Sequence, residues 1–160
     1  MSEEMTQASQ VSTAEGYREA ATQLKERMIE CGGVVGEEAD QLLPLKHQFG
    51  DGCYVRELSA PAGIFAVTKI HKKAHPFFLM KGEVTVLTED GSQRIKAPYY
   101  GMTPAGTQRV VYTHSETQWV TVHATELTDL DEIEAQIIAK TFDELDRPEP
   151  QAIKIEETEA

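Results

Sequence analysis

Near the N-terminus, apolar side chains recur at three- and four-residue steps. This spacing predicts an amphipathic helix over 14–30, which the stop signal Gly32-Gly33 ends. The helix belongs to a predicted helical extension over 14–44. Residues 1–13 are polar and lack a period, so we expect them to form a flexible arm.

The helical period returns near the C-terminus, where seven apolar residues between Leu127 and Leu145 fall on one face. They predict a C-terminal amphipathic helix over 126–147. Two prolines follow it, and the remaining residues, 148–160, have the composition of an acidic tail that need not fold.

Between these helices the pattern is that of short strands. Runs rich in β-branched residues alternate with turns that contain Gly, Pro or Asp, most clearly the hairpin around Glu89-Asp90-Gly91. Many short strands with no helical period between them predict a mainly β protein, an antiparallel barrel or sandwich over 45–125. The candidate strands are Cys53–Leu58, Ile64–His71, Glu83–Thr88, Gln93–Ile95, Arg109–Thr113 and Gln118–His123.

Charge is distributed unevenly along the chain. The net charge of −12 divides into −6 for residues 1–44, +3 for residues 45–125 and −9 for residues 126–160. Phosphate binding needs a concentrated basic face, so this balance argues against nucleic acid as the principal partner. There is no apolar run long enough to predict a membrane span, and the two cysteines suit a reducing compartment. We therefore expect a cytoplasmic protein.

All five histidines lie in the strand-rich middle. His71 shares one side of its strand with Lys69 because side chains alternate along a strand, and His75 follows as the chain turns. On the last strand, Trp119 and His123 share one face while two valines occupy the other. The valines are the stronger candidates for the core. Trp119 would then lie at a pocket rim or a subunit contact, and a buried tryptophan is the alternative.

The segment from Lys69 to Gly82 and the turn Pro104-Ala105-Gly106 resemble the two motifs of the cupins. The resemblance implies a cupin-type β-barrel, or jelly roll. Metal cupins place three histidines and one glutamate at four ligand positions. Here Lys69, His71 and His75 fall on the three positions of the first motif, and Arg109 on the histidine of the second. Lysine and arginine are cations and do not ligate a divalent metal, so the usual site is absent.

Two uses of the pocket stay open. His71, His75 and His123 are candidates for a rearranged site for a divalent transition metal (zinc, iron or nickel), or they are hydrogen-bonded structural residues. Lys69 and Arg109, with Trp119 beside them, are candidates for an anion-binding pocket, or the two cations extend outward or pair with an acid.

The sequence favours a non-enzymatic structural or binding protein that acts as a homo-oligomer, with no catalytic residues. Leu43-Pro44-Leu45, the turn at 88–91 and the strand at 119–123 resemble small cupin-like proteins of tailed bacteriophages. That resemblance implies a virion or assembly role, with other virion proteins as partners and the virion or host cytoplasm as location. The alternative is a metal-dependent cupin dioxygenase or isomerase with a rearranged histidine site.

Overall fold

The computed structural model of this chain describes residues 14–33 and 37–145. The predicted arm over 1–13 and the predicted tail over 148–160 lie outside the described residues. The helices are α1 (Ala14–Glu30), α2 (Glu37–Leu42) and α3 (Leu130–Ile137), and a 3-10 helix spans Phe142–Glu144. The strands are β1 (Leu45–Gly50), β2 (Cys53–Ala60), β3 (Phe65–Val67), β4 (Ile70–His71), β5 (His75–Lys81), β6 (Glu83–Thr88), β7 (Gly91–Lys96), β8 (Tyr99–Thr103), β9 (Val110–Thr113), β10 (Thr117–Ala124) and β11 (Ile138–Ala139).

Two antiparallel sheets form the body of the molecule. The five-stranded sheet has the order β1-β2-β10-β5-β8, the four-stranded sheet has the order β3-β9-β6-β7, and β4 pairs with β11. The sheets pack through apolar side chains, because Phe77 and Leu79 of β5 share a core cluster with residues of β6 and β7. Burying a side chain such as Leu79 stabilises the fold by about 1.5–3 kcal/mol. The prediction of a mainly β, antiparallel fold is confirmed.

Four strands have no counterpart among the candidate strands. They are β1, β5, β8 and β11, and β5 matters most for function because it begins at His75. Pro76 makes this segment look like a turn. The pairing of β5 with β10 starts at Phe77, one residue after the proline. Pro76 therefore interrupts no hydrogen bond to β10.

The inward face of β10 differs from the prediction. Thr117, Thr121 and His123 are buried and Trp119 is half-buried, whereas Val120 and Val122 lie on the opposite face. The expectation that the valines form the core was therefore wrong. Strand pairing explains this, because the register of β10 against β2 and β5 places its odd-numbered residues on the interior face.

Helix α1 has the predicted bounds and packs on its own barrel. Tyr17 and Ala21 are buried, and the Tyr17 hydroxyl hydrogen-bonds to the carbonyl oxygens of Leu87 and Gln108 at 2.9 and 2.8 Å. Burial raises the pKa of Tyr17 to about 12. The apolar stripe of this helix is thus covered in part by the chain that carries it.

The C-terminal helix is shorter than predicted. It begins after its N-cap Asp129, whose side chain accepts a hydrogen bond from the backbone of Glu132, and it ends at Ile137. The next residues form β11, which pairs with β4. Helical continuation would lose that pairing. The predicted span of 126–147 was therefore too long within the described residues.

Helix α3 closes one end of the barrel. Its buried residues Ile133 and Ile137 form a core cluster with Tyr54 of β2. Beyond the helix, Ile138 pairs with His71, and the Lys72 backbone N–H donates to the carbonyl of Ile137 at 2.8 Å. The C-terminal segment therefore holds the short strand that carries His71.

Both glycines of the cupin-like motifs adopt backbone conformations that favour glycine. Gly82 has a φ of 96° and Gly106 has a φ of 80°. A Cβ on Gly82 would also collide with the carbonyl oxygen of Glu116. Gly82 lies between β5 and β6, and the backbone before β10 approaches it so closely that it leaves no room for a side chain.

Replacing Ile133 by alanine tests whether α3 seals its own barrel. Ile133 is 2% exposed, so Ile133→Ala should lower the free energy of unfolding by about 2–5 kcal/mol through a cavity beneath the helix. Leu130 is 44% exposed on the same helix, and Leu130→Ala should change it by about 0.5 kcal/mol or less. Urea denaturation measures both. Equal losses would contradict this packing.

Candidate metal centre and cavity

Three histidines converge inside the barrel from three strands. His71 ends β4, His75 begins β5, and His123 lies near the end of β10. The ring centroids are 4.5 Å apart for His71 and His75, 4.4 Å for His75 and His123, and 5.9 Å for His71 and His123. One ring nitrogen from each side chain lies within 4.8 Å of those of the other two. The three candidate ligands from the sequence are therefore brought together.

His75 directs one ring nitrogen into this cluster. Its Nδ1 lies 3.1 Å from the carbonyl oxygen of Lys73, and a carbonyl only accepts hydrogen bonds, so Nδ1 carries the proton. Nε2 then holds a lone pair. This atom is buried and has no hydrogen-bond partner among the described residues. Fixing a histidine tautomer through a backbone carbonyl is a common arrangement around metal ligands.

His123 is held between a hydroxyl and an aromatic ring. Its Nε2 lies 2.9 Å from Thr121 Oγ1, and its ring stacks on Tyr54 at 5.9 Å. The Tyr54 hydroxyl in turn lies 2.5 Å from Nδ1 of His47 on β1. These contacts place His123 at the closed end of the barrel, beside the cluster beneath α3.

The three imidazoles are neutral at physiological pH. Burial is the largest cause in each case: it lowers the pKa of His71 well below its ordinary value, lowers that of His75, and lowers that of His123 to about 4. The neighbouring histidines lower the pKa of His71 further, since like charges would repel. Neutral imidazole is the form that ligates a metal.

A cavity of about 260 Å³ adjoins the cluster. His71 and His75 line it, and the ring of His123 contacts that of His75. Helix α2 contributes Ala39 and Asp40 to the lining. Several threonines also line the cavity, and among them Thr103 has a buried hydroxyl without a partner in the described residues. The other apolar and hydroxyl groups of the wall include Leu58, Val84, Val111, Thr107, Thr113, Thr117 and Thr121.

Arg109 lies in the cavity wall, stacked on aromatic rings. Its guanidinium carbon is 4.6 Å from the centre of the Phe77 ring and 5.5 Å from that of Trp119. The two rings stack on each other at 4.7 Å and are nearly parallel. Burial lowers the pKa of Arg109 to about 10, which leaves it cationic at neutral pH. Cation–π contacts of this kind stabilise a desolvated guanidinium by about 2 kcal/mol.

Lys69 lies at the edge of the same cavity, but its charge is already paired. Its ammonium forms an ion pair with Glu134 of α3, and its side chain is 50% exposed. The backbone explains this position, because β3 ends at Val67 and β4 starts only at Ile70, so Lys69 lies in the break between the strands.

Arg56 of β2 is a second cation in the wall, and it was not among the residues predicted from the sequence. It lies opposite Thr121 in the β2–β10 pairing, between the inward positions Tyr54 and Leu58. Its charge contributes to the lowered pKa of His71, His75 and His123. The alternation of β2 contains the signal that would have found it.

No protein-family model and no curated protein matches this sequence. Solved structures do resemble the fold. DMSP lyase DddQ from Ruegeria pomeroyi aligns over 62% of this chain and 55% of its own, at 17% identity and a TM-score of 0.51. The cupin domain of Schizosaccharomyces pombe Cnp3 aligns over 60% and 72%, at 19% identity and a TM-score of 0.47. An acetylacetone dioxygenase from Acinetobacter johnsonii aligns over 51% and 59%, at 21% identity and a TM-score of 0.44.

The chain has a cupin-type fold. This confirms the predicted jelly-roll architecture, and the likeness concerns the fold alone. The resemblance to bacteriophage proteins stays a prediction. None of the described helices is both long enough and apolar enough to cross a membrane.

Proposed function

We propose that this cupin-fold protein is a metal-dependent enzyme that acts on a small molecule in the barrel cavity. His71, His75 and His123 are its metal ligands. The observation that carries the proposal is the buried Nε2 of His75, which has no partner in the described part of the chain and lies in a cluster of three neutral imidazoles. Burying such a group without a partner costs about 1–3 kcal/mol, so a structural role alone explains it poorly.

The donor set fits a divalent transition metal. Three imidazoles suit zinc, iron or nickel, and three protein ligands leave coordination positions for substrate or water. The described residues place no carboxylate in the cluster. A metal held there would polarise an oxygen of the substrate as a Lewis acid.

The protein's own groups would orient the site and exclude water from it. The carbonyl of Lys73 holds the tautomer of His75, and Thr121 holds the ring of His123. The apolar walls limit the water around the reacting molecule, which strengthens electrostatic interactions there. Both the dioxygenase and the isomerase alternatives are compatible with this arrangement, and the non-enzymatic role favoured by the sequence stays a prediction.

Metal analysis of the purified chain without a histidine tag tests the proposal. We expect about one divalent transition metal per chain, and we expect His71→Ala combined with His75→Ala to abolish its binding because two of three ligands are lost. Zinc added to the metal-free chain at about 100 times its dissociation constant should stabilise the fold by about 2.7 kcal/mol.

The control is His114→Ala. It removes an imidazole that lies outside the cluster and contacts Thr85 instead. This variant should keep its metal. Equal metal content in the His71/His75 double variant and in the control, or none in the unmodified chain after exposure to zinc, iron(II) and nickel, would contradict the proposal.

We also infer that the protein forms a homodimer through the outer face of the five-stranded sheet. Tyr100 is 77% exposed, and Met80 and Met102 are exposed beside it. The alternation of β5, β8 and β10 places these side chains on the same outward face as Val120 and Val122. A surface of this kind is typical of subunit contacts. It replaces the terminal helices as the support for the predicted oligomer, because α1 and α3 bury part of their apolar stripes in their own chain.

Sedimentation at micromolar concentration checks this inference. The unmodified chain should sediment as a dimer, and Tyr100→Asp with Met102→Asp should sediment as a monomer because two charges would be buried in the contact. A matched pair of changes on the other sheet, Phe65→Asp with Tyr112→Asp, should leave the dimer intact. A monomeric unmodified chain would refute the inference. Virion partners, a virion or cytoplasmic location and the lack of nucleic-acid binding stay predictions.

A further inference from the structure

We propose that the ligand of the cavity is a small organic carboxylate and that Arg109 binds its carboxylate group. The inference names a substrate class for the proposed enzyme and rests on that function for the use of the site. The contact with Arg109 itself requires no metal, so the two can be tested apart.

The guanidinium of Arg109 has a buried N–H group without a hydrogen-bond partner among the described residues. This group is Nε, and the guanidinium forms none of the ion pairs found among the described residues. Its contacts with Phe77 and Trp119 are to the faces of the rings and use no N–H group as a hydrogen-bond donor. A planar guanidinium presents these donors in a fork that matches the two oxygens of a carboxylate.

The cavity as a whole favours an anion. Arg56 is a second cation in its lining and also lacks an ion pair within the described residues. Lys69 is neutralised by Glu134, and the three histidines carry no charge at neutral pH. Asp40 is the one carboxylate of the described lining, and it is an exposed residue of α2. Two arginines thus face the cavity without a carboxylate inside it.

The size and walls of the cavity restrict the body of the ligand. A volume of about 260 Å³ lies just below the roughly 300–1,000 Å³ of pockets that hold drug-sized ligands, so the cavity suits a small organic molecule. Leu58, Val84 and Val111 line the walls, which suits a short hydrocarbon chain. A carboxylate on such a chain meets both requirements, whereas inorganic phosphate uses only the charge.

Trp119 reports directly on this contact. It is the single tryptophan of the chain, it lines the cavity, and its ring lies 5.5 Å from the guanidinium of Arg109. Fluorescence of the full chain is titrated with butyrate, succinate, butyramide and inorganic phosphate, before and after metal removal with a chelator. Butyramide has the shape of butyrate without its charge.

We expect butyrate or succinate to change the fluorescence saturably in the metal-free chain, and butyramide and phosphate to bind at least about tenfold more weakly. Arg109→Gln should weaken carboxylate binding at least about tenfold, and Arg109→Lys should weaken it less because the charge remains without the fork. Arg94→Gln is the control, because Arg94 forms an exposed ion pair with Glu83 on the outside of the barrel, and it should bind as the unmodified chain does. Circular dichroism establishes which variants fold. If Arg109→Gln does not fold, the affinity of Arg109→Lys for the carboxylates tests the inference.

Carboxylates that bind no better than butyramide, or equally well to the folded Arg109 variants, would overturn the inference. So would binding of phosphate alone. Suppose that the His71/His75 double variant binds metal as tightly as the unmodified chain and that butyrate binding still depends on Arg109. The metal proposal then fails and this inference stands. If the metal depends on those histidines and carboxylates are not bound, this inference fails and the metal proposal stands.

Discussion

The site depends on the register of β10 between β2 and β5. This pairing sets Trp119 opposite Leu58 and Leu79, Thr121 opposite Arg56 and Phe77, and His123 opposite Tyr54. A slip of one residue would turn all of these side chains outward and place Val120 and Val122 inside. The same register that places His123 beside His75 also stacks Trp119 on Phe77 beneath Arg109. The metal cluster and the anion contact are therefore two consequences of one strand pairing.

An interior lined by histidines, threonines and arginines lowers the stability of a small barrel unless these groups are paired, because a buried polar group without a partner loses its hydrogen bonds to water. Some are paired here, as His123 is with Thr121. The polar atoms left without a described partner include His75 Nε2, Thr103 Oγ1 and Arg109 Nε, all in residues that line the cavity. The presence of these three atoms around one cavity is the physical reason to assign that cavity a ligand. Apolar packing elsewhere offsets this cost, both in the core cluster around Leu79 and in the cluster that contains Ile133.

Local patterns were enough to predict the helix over 14–30 and a mainly β, antiparallel fold, and they offered His71, His75 and His123 as one candidate cluster. They failed where long-range pairing decides. The strand that starts at His75 was missed because Pro76 resembles a turn signal, and the valines of β10 were assigned to the core because hydrophobicity alone does not show which face of a strand looks inward. Arg56 was missed for the same reason. Lys69 was a candidate either for the pocket with Arg109 or for pairing with an acid, and its pairing with Glu134 follows from the position of α3, which the sequence does not disclose.

The central claim is that three imidazoles hold one metal inside this barrel. X-ray absorption spectroscopy of the zinc-loaded full chain measures the ligands directly. The account predicts an inner shell of nitrogen and oxygen near 2.0–2.1 Å, with the outer-shell scattering of three imidazole rings and no sulfur. A shell containing sulfur at about 2.3 Å, or one with oxygen and no imidazole scattering, would place the ion elsewhere and contradict the account.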